Sequence, residues 1–212
     1  MPSTQIVILY NETETLLKGE SLDLLAERGV LKAVDAVEES LSQLNFTPIR
    51  LPIKERSFSF LNRLRQLKPS LVFNLCEGLY GESELEATIP GMLEILQIPY
   101  TGNRALTLSL CLRKDFCKSI LARHRVPTAR FQIMRHLQEP LARSLTFPLI
   151  VKPSKEDASL GITNASVVYN ESELSTQVGY IWERYQQPAL VEEFIDGREF
   201  NISILGDDPP EV

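Results

Sequence analysis

The chain reads Phe147-Pro-Leu-Ile-Val-Lys-Pro-Ser-Lys-Glu-Asp-Ala-Ser-Leu-Gly161 and, further on, Leu190-Val-Glu-Glu-Phe-Ile-Asp-Gly-Arg-Glu199. In the first stretch an apolar strand ends in Lys152, and a short polar loop closed by Gly161 follows. In the second stretch an apolar strand ends in two carboxylates, Glu192 and Glu193, with another acid a turn later. Two strands that each deliver charge at their end predict a polar ligand site between them.

The residue types in these two stretches suit a nucleotide. A lysine meets phosphate charge, backbone N–H groups of a loop cover phosphate oxygens, and acids accept hydrogen bonds from an adenine amine or ribose hydroxyls. Because a strand alternates its faces, Glu192 and Glu193 point opposite ways, so one can reach the adenine while the other faces solvent. Phe194 would add apolar contact, and Ile195 would offer backbone groups to the ring edge.

A second pair of lysines precedes these strands. Lys114 and Lys118 are four residues apart and share a helix face, a pattern that by itself is typical of a solvated surface. With Lys152 added, two lysines from separate elements can hold a polyphosphate from two sides. The helical spacing alone does not decide whether Lys114 or Lys118 has this role. The loop at residues 154–161, which includes Ser159, is read either as a phosphate cover or as a plain connection.

The first hundred residues alternate strand and helix patterns. Strands are predicted at 5–10, 46–53 and 71–75, and helices at 20–44, 60–67 and 84–96. Gly29 suggests a break in the first helix, and Pro48 and Pro52 suggest that the second strand lies at a sheet edge. This order predicts the α/β class, with an open parallel sheet and helices on both of its faces.

The pattern changes in the second half of the chain. A helix is predicted at 106–124 with a break near Arg113, followed by a helix at 171–185. Strands are predicted at 129–135, 146–151, 165–169, 189–195 and 199–205. Strands now outnumber helices, which predicts an α+β lobe with an antiparallel sheet. The tail at 206–212 reads as a turn whose return strand is missing, so we expect the chain to be a fragment.

Composition restricts the partners. The chain has 212 residues with 22 basic and 28 acidic side chains, a net charge of -6, so we expect no nucleic-acid partner. No apolar run has the length of a membrane span or the flanks of a signal peptide, and we predict a cytoplasmic protein. The cysteines, Cys76, Cys111 and Cys117, lack zinc spacing and are expected to be reduced and mostly buried.

An ordered set of motifs resembles the ATP-grasp ligases, in particular the D-alanine–D-alanine ligase-like branch. The set comprises Glu77-Gly78, Pro99-Tyr-Thr-Gly102, Lys114, Val126-Pro-Thr128, Phe147-Pro-Leu-Ile-Val-Lys-Pro153 and Glu192-Glu-Phe-Ile-Asp-Gly-Arg-Glu199. The resemblance implies a parallel-sheet pre-ATP-grasp domain at 1–108, a first ATP-grasp lobe at 109–188, and the start of a second lobe at 189–212. It also implies that Lys114 and Lys152 bind ATP phosphates, with Lys118 as the structural neighbour of Lys114, and that Glu199 binds the ribose.

The reaction that the resemblance implies joins a small-molecule carboxylate to an amine through an acyl phosphate made from ATP. The family's Mg²⁺ ligands would lie downstream of this chain, which by itself is then not expected to turn over. The family often forms homodimers.

Two departures from the family pattern leave alternatives open. Asp157-Ala158-Ser159 stands where a Gly-Ser-Ser run is typical, and Glu77 stands where a histidine is usual. Glu77 either binds a substrate amine, with Gly78 beside it, or caps the helix that follows. A nucleotide-binding or interaction module that no longer catalyses is the alternative function, and a purely structural α/β protein is a third.

Overall fold

A computed structural model describes residues 4–12, 21–54, 57–157, 159–206 and 209–211, with the side chains of 21–28 left out. Ala158, with the predicted loss of a loop hydroxyl, therefore lies outside the described residues. The strands are β1 (Gln5–Asn11), β2 (Thr47–Ile53), β3 (Leu71–Leu75), β4 (Phe131–Met134), β5 (Leu149–Pro153), β6 (Val167–Val168) and β7 (Ala189–Glu193). The α-helices are α1 (Ser21–Gln43), α2 (Ser59–Leu67), α3 (Thr88–Ile95), α4 (Ala105–Leu112), α5 (Lys114–Arg123) and α6 (Glu171–Tyr185).

The first half forms a three-stranded parallel sheet in the order β2-β1-β3. Val7 and Leu9 of β1 pack with the apolar side chains of α2 and α3, whereas Ile6 and Ile8 pack with those of α1. Both faces of β1 are therefore covered by helices, which explains its nearly continuous apolar sequence. The prediction of a parallel sheet with helices on both faces is confirmed, and β2 lies at the predicted edge.

The second half forms a four-stranded antiparallel sheet in the order β4-β7-β5-β6. Its buried face packs on α6 through alternate strand residues such as Leu149, Val151 and Val191. The residues between them, Ile150 and Lys152 of β5 and Leu190 and Glu192 of β7, belong to the opposite face. This alternation places the predicted lysine and carboxylate on the same side of the sheet.

The structure tests three predictions about where helices break or begin. Gly29 does not divide α1, which is continuous; an isolated glycine costs a helix only about 1 kcal/mol. The predicted helix at 84–96 is split into a 3-10 turn, Ser83–Leu85, and α3, which begins at Thr88. Pro90 is the third residue of α3, where no intrahelical N–H is required, so the helix begins just before it. The predicted break at Arg113 is confirmed between α4 and α5.

Two predicted strands are wrong or shortened. The strand at 165–169 is reduced to two residues, because Thr163 and Ser166 form a capping box that winds Asn164–Ser166 into a 3-10 turn. The strand at 199–205 does not form: residues 194–204 have no strand, and Leu205 makes one isolated bridge to Glu211. Its alternating apolar side chains stay largely exposed, since no neighbouring strand in the described residues pairs with them.

β7 lies between β4 and β5 in the antiparallel sheet. It is hydrogen-bonded to both strands along its whole length. The predicted domain boundaries at 108/109 and 188/189 stay predictions. None of the described helices is long and apolar enough to cross a membrane.

The cysteines are less buried than expected. Cys76 is buried, Cys117 is half-buried and Cys111 is exposed. The bend between α4 and α5 also brings Cys111 and Cys117 together, although their spacing would separate them on one straight helix. Partial burial, followed by the neighbouring Cys117 thiol, raises the pKa of Cys111.

Candidate functional site

The site is built on the face of the antiparallel sheet that points away from α6. Glu192 lies opposite Ile150 on one side and Phe131 on the other, and Lys152 lies one diagonal step away on β5. Diagonal neighbours on one face are within reach of long side chains. Helix α5 contributes Lys118 to the same face, so two strands and one helix converge on a single carboxylate.

Glu192 is paired with two lysines. Its Oε1 accepts a hydrogen bond from Lys152 Nζ at 2.7 Å, and its Oε2 lies 2.7 Å from Lys118 Nζ. The Glu192 side chain is 10% exposed, the Lys118 side chain 12% and the Lys152 side chain 25%. Burial by itself would raise the pKa of Glu192, but the hydrogen bonds from the two lysines outweigh it and lower the pKa. The carboxylate is therefore held ionised and in one orientation.

Lys118, the structural neighbour of Lys114, contributes directly to the contacts around Glu192. Besides Glu192, its ammonium group donates to Thr128 Oγ1 at 2.7 Å and lies 5.3 Å from the centre of the Phe131 ring. A signal for this role was present in the sequence. An acid on the inward side of an apolar strand needs a charged partner, and Lys118 shares a helix face with Lys114.

Lys114 begins α5, and its backbone N–H points to Ser154 O at 3.4 Å. Burial lowers the pKa of its ammonium group, and Asp157 and Glu156 are the strongest influences in the other direction. Lys152 and Glu192 also affect the pKa of Lys114, which shows that the predicted lysine pair belongs to one electrostatic cluster. The negative charge of Asp157 therefore favours the charged form of Lys114.

The loop at 154–161 is fixed at both ends. Ser154 N donates to Pro188 O at 3.2 Å, and Gly161 is buried with φ +73. A Cβ at Gly161 would lie 2.6 Å from Pro153 Cγ, so only glycine fits there. Ser159, the predicted phosphate ligand, is exposed near the tip of the loop with a left-handed φ of 61. The loop thus has anchored ends and an exposed tip.

The predicted site residues after Glu192 do not join its contacts with the lysines. Glu193 turns to the other side of β7 and pairs with Arg130, as alternation predicts. Phe194 is 36% exposed and Ile195 is 72% exposed. Glu199 is exposed in the extended segment that follows, and nothing in the described residues brings it to the Glu192 cluster.

Glu77 and Gly78 lie beyond the carboxyl end of β3. Asn11, at the end of β1, donates from Nδ2 to Gly78 O at 3.0 Å and to Glu77 O at 3.2 Å, which joins the two strand ends. A Cβ at Gly78 would lie 3.0 Å from Glu82 O, and φ is +87. Glu77 does not cap the next helix, because Glu82 and Ala87 occupy the two N-cap positions without side-chain capping bonds.

Glu86 is a residue that sequence reasoning missed. It is half-buried, and burial, the negative charge of Asp157 and that of Glu77 raise its pKa to about 7. The 3-10 turn thereby places Glu86 between the predicted substrate end of β3 and the loop at 154–161. The helical pattern at 84–96 did not predict this location of Glu86, because it depends on the break between the 3-10 turn and α3.

The residues of the site can be compared with what a nucleotide and a metal ion each require. Lysines from two elements, an ionised acid and an anchored loop suit a nucleoside phosphate. Among the residues that the structure describes, no group of three or more histidine, cysteine or acidic side chains is arranged to hold a metal ion.

Comparison with known proteins finds a matching family and several similar proteins. The D-ala D-ala ligase C-terminus family matches residues 120–212. The uncharacterized protein y4sG of Sinorhizobium fredii is 41% identical over 142 residues, which are 67% of this chain and 41% of that protein. The D-alanine–D-alanine ligase of Pelotomaculum thermopropionicum is 30% identical over 196 residues, or 87% of this chain and 58% of the ligase.

The fold is also that of a solved ligase. The crystal structure of the D-alanine–D-alanine ligase from Bacillus anthracis complexed with ATP matches with a TM-score of 0.61 at 21% identity. The match covers 92% of this chain and 60% of the ligase. Together these matches support an ATP-grasp protein that is D-alanine–D-alanine ligase-like, as the motifs predict. The chain spans less than two thirds of the length of these proteins.

Proposed function

We propose that this chain forms the nucleotide-binding part of an ATP-dependent carboxylate–amine ligase that works through an acyl phosphate. The observation that carries the proposal is the pairing of Glu192 with Lys152 and Lys118, next to Lys114 and the loop at 154–161. In this reaction a carboxylate attacks the terminal phosphate of ATP, and an amine then displaces phosphate from the acyl phosphate. Positioning and charge neutralisation carry most of the catalysis of phosphoryl transfer.

Each part of the cluster has a task in this proposal. Lys152 and Lys114 contact phosphate oxygens, while the backbone of the loop, with Ser159 at its tip, covers them. Glu192 accepts from the adenine amine, since each carboxylate oxygen keeps a lone pair after its lysine contact. Glu193 faces away, with Phe194 and Ile195 beside the ring. Glu199 would meet the ribose only if the segment after β7 moved toward the cluster.

The amine substrate is proposed to bind at the carboxyl ends of the parallel strands, where open α/β sheets bind ligands. Glu77 would accept from the substrate amine, and Gly78 would let the backbone approach closely. The exposed carboxylate of Glu77 and the nearby negative charge of Asp157 favour a cationic group there. Which amine and carboxylate are joined is left open by these residues.

The second candidate is a nucleotide-binding module that does not catalyse. The exposed, acidic loop at Asp157 and the missing histidine at position 77 favour it. Both candidates require nucleotide binding, so turnover separates them in a protein that contains the whole ligase length.

Nucleotide binding is tested by titrating the 212-residue chain with ATP and with a non-hydrolysable analogue in a calorimeter. Loss of one charge-assisted phosphate contact costs about 1.5–3 kcal/mol, so Lys152→Ala should weaken binding roughly 10- to 150-fold. Lys32→Ala, on the exposed side of α1, is the matched control and should bind as the unaltered chain does. No binding by the folded chain, or equal affinity in the two variants, would refute the proposal.

Several features remain predictions. These are the use of Mg²⁺, a homodimer and a cytoplasmic location. Sedimentation of the purified chain tests the homodimer, and an added divalent cation in the titration tests its effect on ATP affinity.

A further inference from the structure

Glu156 is a buried carboxylate between the two halves of the molecule. It is 3% exposed, and both of its oxygens accept hydrogen bonds. Gln187 Nε2 donates to Oε1 at 2.7 Å, and the Ser83 hydroxyl donates to Oε2. Burying an ionised carboxylate is unfavourable unless such donors are in place. Both contacts therefore fix the position of Glu156 closely.

On the nucleotide side, Gln187 joins Glu156 to the base of the loop at 154–161. The Gln187 side-chain oxygen accepts from the backbone N–H of Lys155 at 2.6 Å, while its amide group holds Glu156. Gln187 is itself 6% exposed and precedes β7, the strand that carries Glu192. Gln187 thus links the base of the loop to the start of the Glu192 strand.

On the other side, Ser83 belongs to the 3-10 turn that follows the Glu77–Gly78 segment. Gly78 is packed against this turn, since an added Cβ would meet Ser83 Cα at 3.2 Å. A second link runs in parallel: Lys155 Nζ lies 2.9 Å from Glu84 Oε1. A shift of the Glu77–Gly78 segment therefore reaches the loop through Ser83 and Glu156.

We propose that Glu156 is a positioning residue that couples the Glu77–Gly78 segment to the nucleotide loop through its shared contacts with Ser83 and Gln187. This rests on the proposed function, which assigns an amine site to one end and a nucleotide site to the other. Coupling between binding sites is reciprocal. An amine-bearing substrate at Glu77 therefore orders the loop for ATP, and ATP tightens the substrate site.

The test uses Ser83→Ala, which removes the hydroxyl on the parallel-sheet side and leaves the Gln187–Glu156 contact in place. Ser83→Thr keeps the hydroxyl, and Ser119→Ala removes an exposed hydroxyl from α5 as the matched control. Two quantities are measured for each folded variant: amide hydrogen exchange of residues 153–162 and the dissociation constant of the ATP analogue. Glu156→Gln is measured beside them.

Ser83→Ala should raise exchange in the loop about 5- to 10-fold and weaken analogue binding by a similar factor, with an unchanged thermal midpoint within two degrees or so. Glu156→Gln should do at least as much, and Ser83→Thr and Ser119→Ala should behave as the unaltered chain. Unchanged loop exchange in Ser83→Ala would overturn the coupling. If the unaltered chain binds no nucleotide, the proposed function fails, while the exchange comparison still decides the coupling.

Discussion

Replacing Glu192 with glutamine tests whether the lysine pairing at this residue stabilises the fold as its geometry indicates. The variant leaves two ammonium groups, Lys118 and Lys152, facing one neutral amide in a site where the Glu192 side chain is 10% exposed. An ion pair at this contact distance has a Coulomb energy of about 6 kcal/mol at an effective dielectric constant of about 20, and desolvation offsets much of it. Removing one member of a buried pair typically costs about 3–5 kcal/mol.

Lys118→Met should cost less, about 1.5–3 kcal/mol, because Glu192 keeps its contact with Lys152. The double variant should be destabilised by about 1–3 kcal/mol less than the sum of the single variants, since removing Lys118 relieves the repulsion that Glu192→Gln creates. Urea unfolding with a common slope gives these free energies of unfolding. Glu193→Gln, which alters the half-buried neighbour on the other face of β7, is the control and should shift the midpoint less.

Equal effects of Glu192→Gln and Glu193→Gln, or simple addition of the effects of Lys118→Met and Glu192→Gln, would contradict a stabilising role for the lysine pairing. Should Glu192→Gln not fold, the comparison of Lys118→Met with the double variant still decides the sign of the coupling.

Three further outcomes are expected. Because burial raises the pKa of Glu86 to about 7, its contribution to stability is fully present below pH 4.5 and is lost as pH rises through about 7. After a discount for partial exposure, the lost free energy of unfolding is about 1–2 kcal/mol. Glu86→Gln should abolish this pH dependence in urea midpoints measured from pH 5 to 8. Gly161→Ala should lower the free energy of unfolding by about 2–4 kcal/mol through strain and overlap, whereas Gly102→Ala, with positive φ but open space, should lose only about 1 kcal/mol; equal losses would contradict the packing argument. Asn170→Ala removes the side-chain cap of α6 and should cost about 1 kcal/mol in thermal unfolding, and a negligible effect would mean that packing alone holds this helix end.

Periodicity predicted the elements that pack against a core. β3 and α6 have the bounds that the sequence indicated, because apolar residues at strand or helix spacing specify which face is buried. The segment at 199–205 has the same alternation and does not form a strand. Alternation states which face a strand would bury, but a strand also needs a hydrogen-bonding neighbour, and a local pattern does not contain one.

The candidate site was predictable where it depends on strand pattern and not where it depends on long-range contacts. Lys152 and Glu192 were identified because each ends an apolar strand, and strand alternation then placed Glu193 on the other face. Lys118 and Glu156 were not identified, because their partners, Glu192 and Ser83, are more than seventy residues away in sequence. Only the register of β7 between β4 and β5 and the packing of α5 bring such groups together.

The charges around the loop explain how an acidic protein can accept a polyphosphate at this place. The cluster has three lysines, and the carboxylates of Glu192, Glu156 and Asp157 balance them in number. Under the proposed function, phosphate binding would therefore not draw on a surplus of positive charge. It would depend on lysines and backbone N–H groups that the surrounding acids hold in position, as preorganised donors do. A nucleotide triphosphate brings more negative charge than this balanced set neutralises, and this is the physical reason to expect an added divalent cation to strengthen ATP binding.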